Sequence, residues 1–219
     1  MPKTAFWKLP YEKQDHFIEI SIREFSNQSY DNVSVKYISE KLGIAKGTLY
    51  KYFENKKELY LFLVEVATTK KYEAIDQFLK QTPQDDFSEI LYQIYLSNTR
   101  FEINYPLMSR FLYCVYRENP HHELGNLPLL LKKQASNHYR AILHAQQQEG
   151  RIRSDIPLET LAFLVVQSNW GIRDYFLTHH PTMLNEQARN KVGAEKIGKA
   201  LSAHLAQLVN EGLFKSEVA

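Results

Sequence analysis

The chain has 219 residues, 44% of them hydrophobic and 24% charged, with a net charge of +2 at neutral pH. That length and composition fit one large domain, or a small domain joined to a bigger one, with enough apolar residues for a core, and they exclude an intrinsically charged, unfolded chain. The single cysteine, Cys114, excludes an internal disulfide and points to a reducing cytoplasm, the opening residues lack an apolar signal segment, and the longest apolar run, Leu161 to Val166, is too short to span a bilayer, so no membrane partner is expected.

Helical periodicity begins at Tyr11: Phe17, Ile18, Ser21, Ile22 and Phe25 recur at the spacing of one buried helical face. "SNQSYDNVS" breaks this pattern with turn formers, and Ser34 is placed to cap a second helix that buries Val35, Ile38 and Leu42. Gly43 ends that helix at a position favouring left-handed dihedrals, and a third, short helix follows. Asn55 with Glu58 three residues on forms a capping box for a fourth helix, long enough to reach about Lys80. After "QTPQDD" further helices are expected near 86–104, 107–117, 129–148, 158–178 and 190–213, separated by proline and glycine. No alternating strand pattern is found. The fold class is all-α: an N-terminal three-helix unit, a long connecting helix, and a larger helical body. The domain reading is 1–56 followed by 57–219.

The segment "SVKYISEKLGIAKGTLYKYF", Ser34 to Phe53, has the form of a helix-turn-helix: two helices joined at a glycine, the second very short. On a helical wheel Leu49 and Phe53 face the preceding helix, and Gly47 and Lys51 point away, flanked by Thr48 and Tyr50. Lysine neutralises phosphates or reaches guanine edges, hydroxyls bind phosphate oxygens, and glycine lets a duplex approach the backbone. A recognition helix offers its first turn to the major groove, which places Lys46, Gly47 and Thr48 deepest. Lys36, Lys41, Lys46 and Lys51 stand against Glu40 alone in this stretch, a local excess that suits a polyanion. A helix–glycine–helix corner also occurs as plain architecture.

The stretch from Phe17 to Tyr60 resembles the TetR (tetracycline-repressor-like) family of bacterial transcriptional regulators. Its signature positions stand here as Phe25, Tyr30, Val35, Ile38, Gly43, Ile44, Thr48, Leu49, Tyr50, Phe53, Lys56 and Leu59. Ser21 and Ser39 depart from the usual alanine, and Ser29 replaces the turn glycine. "QQQEGRIRSDIP" is similar to the family's turn between late helices of the ligand domain. The resemblance implies DNA contacts from Lys46, Gly47 and Thr48, phosphate contacts from Tyr50, Tyr52 and Lys56, and a groove-reaching Lys36; the wheel adds Lys51. It further implies a ligand-responsive regulator, a repressor releasing a palindromic operator on binding a small hydrophobic or aromatic effector. An activator of the same fold is the alternative, and a helical small-molecule-binding protein without DNA-binding activity the second one.

One reading head with a few phosphate contacts binds weakly, so a homodimer on double-stranded DNA is expected. Its glue is expected in Val166 and Gly171 of one late helix and Ile197, Leu201, Leu205 and Leu208 of the last, with Gly171 and Gly198 permitting close helix approach. Candidates for the effector pocket are Tyr95, Arg100, Tyr105, Met108, Phe111, Asn137, Phe163, Gln167 and Trp170, with most of the aromatic residues expected to be core. No catalytic motif, metal-ligand spacing or cofactor fingerprint is read in the chain. "HHE" at His121–Glu123 is read as a solvent-exposed loop, and Cys114 as an inert buried thiol.

Overall fold

A computed structural model describes residues 1–83, 86–184 and 191–213 of the chain. Ten helices occur among the described residues: α1 Thr4–Trp7, α2 Tyr11–Asn27, α3 Val35–Lys41, α4 Lys46–Tyr52, α5 Lys56–Leu79, α6 Phe87–Asn104, α7 Pro106–Arg117, α8 Leu127–Gln148, α9 Leu158–His179 and α10 Lys191–Leu213. A 3₁₀ turn, Tyr30–Asn32, lies between α2 and α3. The class is all-α, and the expected helices from 86 onward agree with α6 to α10 within two residues. The differences have a cause. The expected starts at 107 and 129 each follow a proline, whereas Pro106 and Pro128 sit inside the first turn of α7 and α8, where a missing N–H costs nothing. Asn190, the expected first residue of the last helix, lies outside the described residues.

Both capping residues act as read, whereas the Glu58 carboxylate pairs with the Met1 amino group instead of closing the capping box. Ser34 Oγ accepts from the Tyr37 N–H at 3.3 Å, and Asn55 Oδ1 from the Glu58 N–H at 2.9 Å. Gly43, at φ +65°, closes α3 as a Schellman motif: its N–H donates to Glu40 O at 3.1 Å, and the Ile44 N–H to Ser39 O at 3.0 Å. The left-handed dihedral turns the chain into α4, so this glycine sets the helix-turn-helix angle. Ser29 is extended, at φ −61° and ψ 155°, so the turn has no need of the family's glycine there.

The contacts divide the chain into two compact units. Unit 1 holds 1–70 and 107–128; unit 2 holds 71–106 and the described residues from 129 onward. The core of unit 1 is a ring cluster. Phe6 meets Phe17, Phe53 and Phe62 with centroids 5.3–5.5 Å apart, mostly edge to face, and Tyr60 joins Phe25, Tyr30 and Phe111. Helix α1, which has no counterpart in the sequence reading, exists to deliver Phe6; its entry is tied by Lys3 N–H to Tyr52 O at 2.8 Å. In unit 2, Ile90, Leu91, Ile94, Leu143, Leu161, Val165, Ile172 and Phe176 pack into one core. Helices α6 and α10 run in close contact there along a seam of small residues: Thr99 and Ser202 hydroxyls are 3.3 Å apart, and Gly198 lies directly against Thr99. Among the described residues, no helix is long and apolar enough to cross a membrane.

Candidate nucleic-acid interface

Helix α4 is seven residues long and is held by its buried side. Leu49 and Phe53 are fully buried, and Ile38 of α3 is equally so, as the wheel requires. The other side faces solvent: Lys46, Gly47, Tyr50 and Lys51 are exposed, and Thr48 is half-buried. The Lys46 ammonium lies 5.8 Å above the Tyr50 ring, so cation and phenol share one patch. No atom lies within 4 Å of where a Cβ on Gly47 would stand, and its φ is not positive; nothing in the protein itself requires glycine there. Lys36, exposed on α3, is held only by a loose i,i+4 pair with Glu40 at 3.6 Å.

Three basic or phenolic groups are placed differently from the expectation. Lys56 does not extend from the α5 N-terminus: its ammonium donates to Tyr30 O at 2.8 Å, Asp31 O at 3.2 Å and Val33 O at 3.4 Å, and lies 4.4 Å over the Tyr30 ring. All three of its N–H bonds therefore point into the protein, where they fasten the turn that precedes α3. Tyr52 is half-buried, its ring between Phe6 and Phe17 at about 6 Å from each. Lys41, counted in the basic excess, is taken up by the buried Glu24 carboxylate, which holds its ammonium above the usual lysine range, and lies 4.7 Å from the Tyr37 ring. Two groups escape the sequence reading. Lys3 donates to Tyr50 O at 3.2 Å and pairs with Glu54, so the N-terminal arm finishes α4. Tyr37 is an exposed phenol beside Lys36; an aromatic residue on the polar face of a helix is the available signal.

The same turn is grasped from the other side. His121 Nε2 stands 3.1 Å from Asp31 Oδ1, the Tyr30 hydroxyl donates to Glu123 at 2.7 Å, and the Tyr60 hydroxyl to Glu118 at 3.0 Å. Burial together with the facing carboxylates pushes both phenols far above the ordinary tyrosine range, so they remain donors at any physiological pH. "HHE" is an exposed loop at His122 and Glu123, as read, and in addition His121 partners Asp31 and Glu123 partners Tyr30. The Cys114 thiol is half-buried, 3.8 Å from Ser26 O.

Unit 2 brings together only part of the expected effector set. Tyr95 is fully buried, and Trp170 is half-buried beneath the Lys71 ammonium at 4.5 Å. Arg100 reaches Glu195 at 3.4 Å and covers the Phe78 ring at 4.8 Å. Asn137, Gln167 and Phe163 are exposed, Phe163 by 60%, on the outer faces of α8 and α9. Tyr105 lies at the surface beside Phe101, 5.4 Å between centroids. Met108 and Phe111 belong to unit 1, where Phe111 is core against Tyr60 at 5.5 Å. The expected dimer set divides as well. Val166, 5% exposed, is core of its own unit, and Ile197, Leu201 and Leu205 pack partly against the same core. Gly171 has open space beside it, whereas Gly198 admits Thr99 of the same chain. Leu208 is 67% exposed.

Residues 17–62 match the family model of the bacterial regulatory proteins of the tetR family. No curated protein matches the chain. Among solved structures, a TetR family transcriptional regulator from Chloroflexus aurantiacus aligns over 99% of this chain and all of its own with a TM-score of 0.76 and 22% identity. The FadR regulator of Bacillus subtilis, in complex with stearoyl-CoA, aligns over 94% of this chain and all of its own at 0.72 and 17%. FadR of Bacillus halodurans, described as a fatty acid degradation regulator, gives 0.70 and 17% over 95% of this chain and all of its own.

Proposed function

With a tetR-family N-terminal segment and the fold of TetR-family regulators as the premise, we propose that the chain is a one-component transcriptional regulator: a homodimer that holds a palindromic operator and releases it when a small amphipathic effector enters unit 2. The observation that carries the reading is the geometry of α3, the Gly43 turn and α4. A short helix is pinned by Leu49 and Phe53, and its outward face holds Lys46, Gly47, Thr48, Tyr50 and Lys51. We assign DNA contact to these five and to Lys36, with Tyr37 added. Lys56 acts one step back, fixing the turn from which α3 departs. Tyr52 contributes its backbone and its packing.

Repression is the preferred sense. Release requires only that the effector bind the DNA-incompetent arrangement more tightly, by a few kcal/mol for a useful switch. The likeness to a regulator solved with stearoyl-CoA and the apolar interior of unit 2 support an effector with a long apolar body. An activator differs only in where its operator lies relative to the promoter.

Footprinting on the DNA upstream of the protein's own gene tests the reading. A protected palindrome is expected at low salt, with Lys46→Ala weakening binding and lowering the slope of log affinity against log salt by about one. Absence of any protected site on that DNA and on neighbouring promoters would favour a helical binding protein without DNA-binding activity.

A further inference from the structure

We infer that the effector carries a carboxylate, and that Lys71 of α5, over the Trp170 ring, receives it. The inference rests on the ligand-binding role proposed for unit 2 and names the chemistry of that ligand.

Lys71 is a cation without a paired anion among the described residues. Its ammonium sits 4.5 Å above Trp170 and, among the described residues, makes no hydrogen bond or ion pair. The carboxylate whose field reaches it, Glu102, is engaged by Arg173 in a buried pair at 2.6 Å. Burial pushes Lys71 below the ordinary lysine range; Glu102 opposes that shift only in part, and Arg173 adds to it. A desolvated ammonium over an aromatic face is a poor end state for a fold, because the ring replaces only part of the lost hydration. A carboxylate brought by a ligand restores the missing charge-assisted hydrogen bonds.

Two buried amide oxygens between α6 and α9 also lack hydrogen-bond partners among the described residues. Glu102 and Arg173 pair across α6 and α9, and the Tyr95 phenol, seven residues before Glu102, lies beside Ser168, five before Arg173, so the two helices run parallel. Between those levels stand Asn98 and Asn169. The Asn98 amide N–H bonds go to Ile94 O and Tyr139 Oη, and that of Asn169 to Val165 O, which fixes both amides; their carbonyl oxygens are buried without a hydrogen-bond partner. A plain core at these positions would be apolar, since an orphaned buried acceptor costs about 1–3 kcal/mol. A carboxylate head group beside Trp170 pairs with the Lys71 cation; the two amide acceptors call for a donor, which a carboxylate does not itself supply. An uncharged apolar effector leaves the Lys71 ammonium without a counter-charge.

The test uses the full chain with Trp7→Phe, so that Trp170 is the only indole, and three probes: dodecanoate, dodecanol and dodecanoyl-CoA. Dodecanoate is expected to change Trp170 emission saturably, with dodecanol at least tenfold weaker. Lys71→Met should weaken dodecanoate at least tenfold while leaving dodecanol unchanged, and Lys71→Arg should recover most of the loss. Equal binding of dodecanoate and dodecanol, or an unchanged dodecanoate affinity in Lys71→Met, overturns the proposal, as does saturable binding of dodecanoyl-CoA alone. Operator binding measured on the same preparations separates the two readings. Intact DNA binding with no carboxylate response sinks the Lys71 site and leaves the regulator standing. Carboxylate binding through Lys71 in a protein that selects no DNA does the reverse.

Discussion

Gly47 stands at the second position of α4, with open space where a side chain would go and no left-handed dihedral. Alanine there is a better helix former, by about 0.5–1 kcal/mol. Gly47→Ala is therefore expected to raise the unfolding free energy by that amount and, if the backbone of α4 touches DNA, to lower operator affinity at least tenfold. A thermal melt and a mobility-shift titration read both arms; a stabilised protein with unaltered affinity removes Gly47 from the interface. Ser21 gives the complementary case away from the site. It is fully buried in α2, and its hydroxyl finds no partner. Ser21→Ala, the residue more usual in the family, should stabilise the protein by about 1 kcal/mol in a denaturant titration, because an unsatisfied buried polar group is removed without leaving a cavity. A loss of stability would mean that the hydroxyl is bonded in solution.

At the scale of elements, the long helices are legible because an amphipathic period of 3.6 and a proline or glycine punctuation agree over many turns. Three things escape that reading, each for a physical reason. Helix α1 is a single turn with no period to detect, yet it places Phe6 at the centre of unit 1. The packing of residues 107–128 with the N-terminal helices depends on single contacts far apart in sequence, such as Tyr30 with Glu123 and Tyr60 with Glu118. Periodicity also reports that a helix has an apolar face without saying what the face meets, so from sequence Phe163 reads as pocket and Gly198 as interface. The structure explains Gly198: a Cβ added there would fall inside the Thr99 γ-methyl, on the α6–α10 seam. Gly198→Ala should thus cost about 1–3 kcal/mol by overpacking. Thr99→Ser, which removes that methyl but keeps the hydroxyl facing Ser202, should recover most of the loss in the double variant. If the two changes simply add, the steric account of the seam is wrong.

For the whole molecule, the remaining question is what covers the outer face of α9. Phe163 and Leu164 are 60% and 42% exposed, and Gln167, Gly171 and Tyr175 continue the same stripe at intervals of three and four residues. Gly171 has open space beside it, so a second helix can approach closely there. Leu208 offers a comparable apolar side chain on α10. Fully burying such side chains is worth about 1.5–3 kcal/mol each, and two copies of one patch meeting about a two-fold axis count every contact twice. We therefore propose this stripe, rather than Val166, as the centre of the homodimer. Phe163→Glu is expected to shift the protein to monomers in sedimentation at micromolar concentration while leaving each protomer's fold intact, since the residue makes little contact inside its own chain. Leu208→Glu tests α10 separately. The monomer should also lose about half of the salt slope of operator binding, because one reading head rather than two displaces counterions. A Phe163→Glu protein that sediments as a dimer with its salt slope unchanged would place the interface elsewhere and leave the exposed face of α9 unexplained.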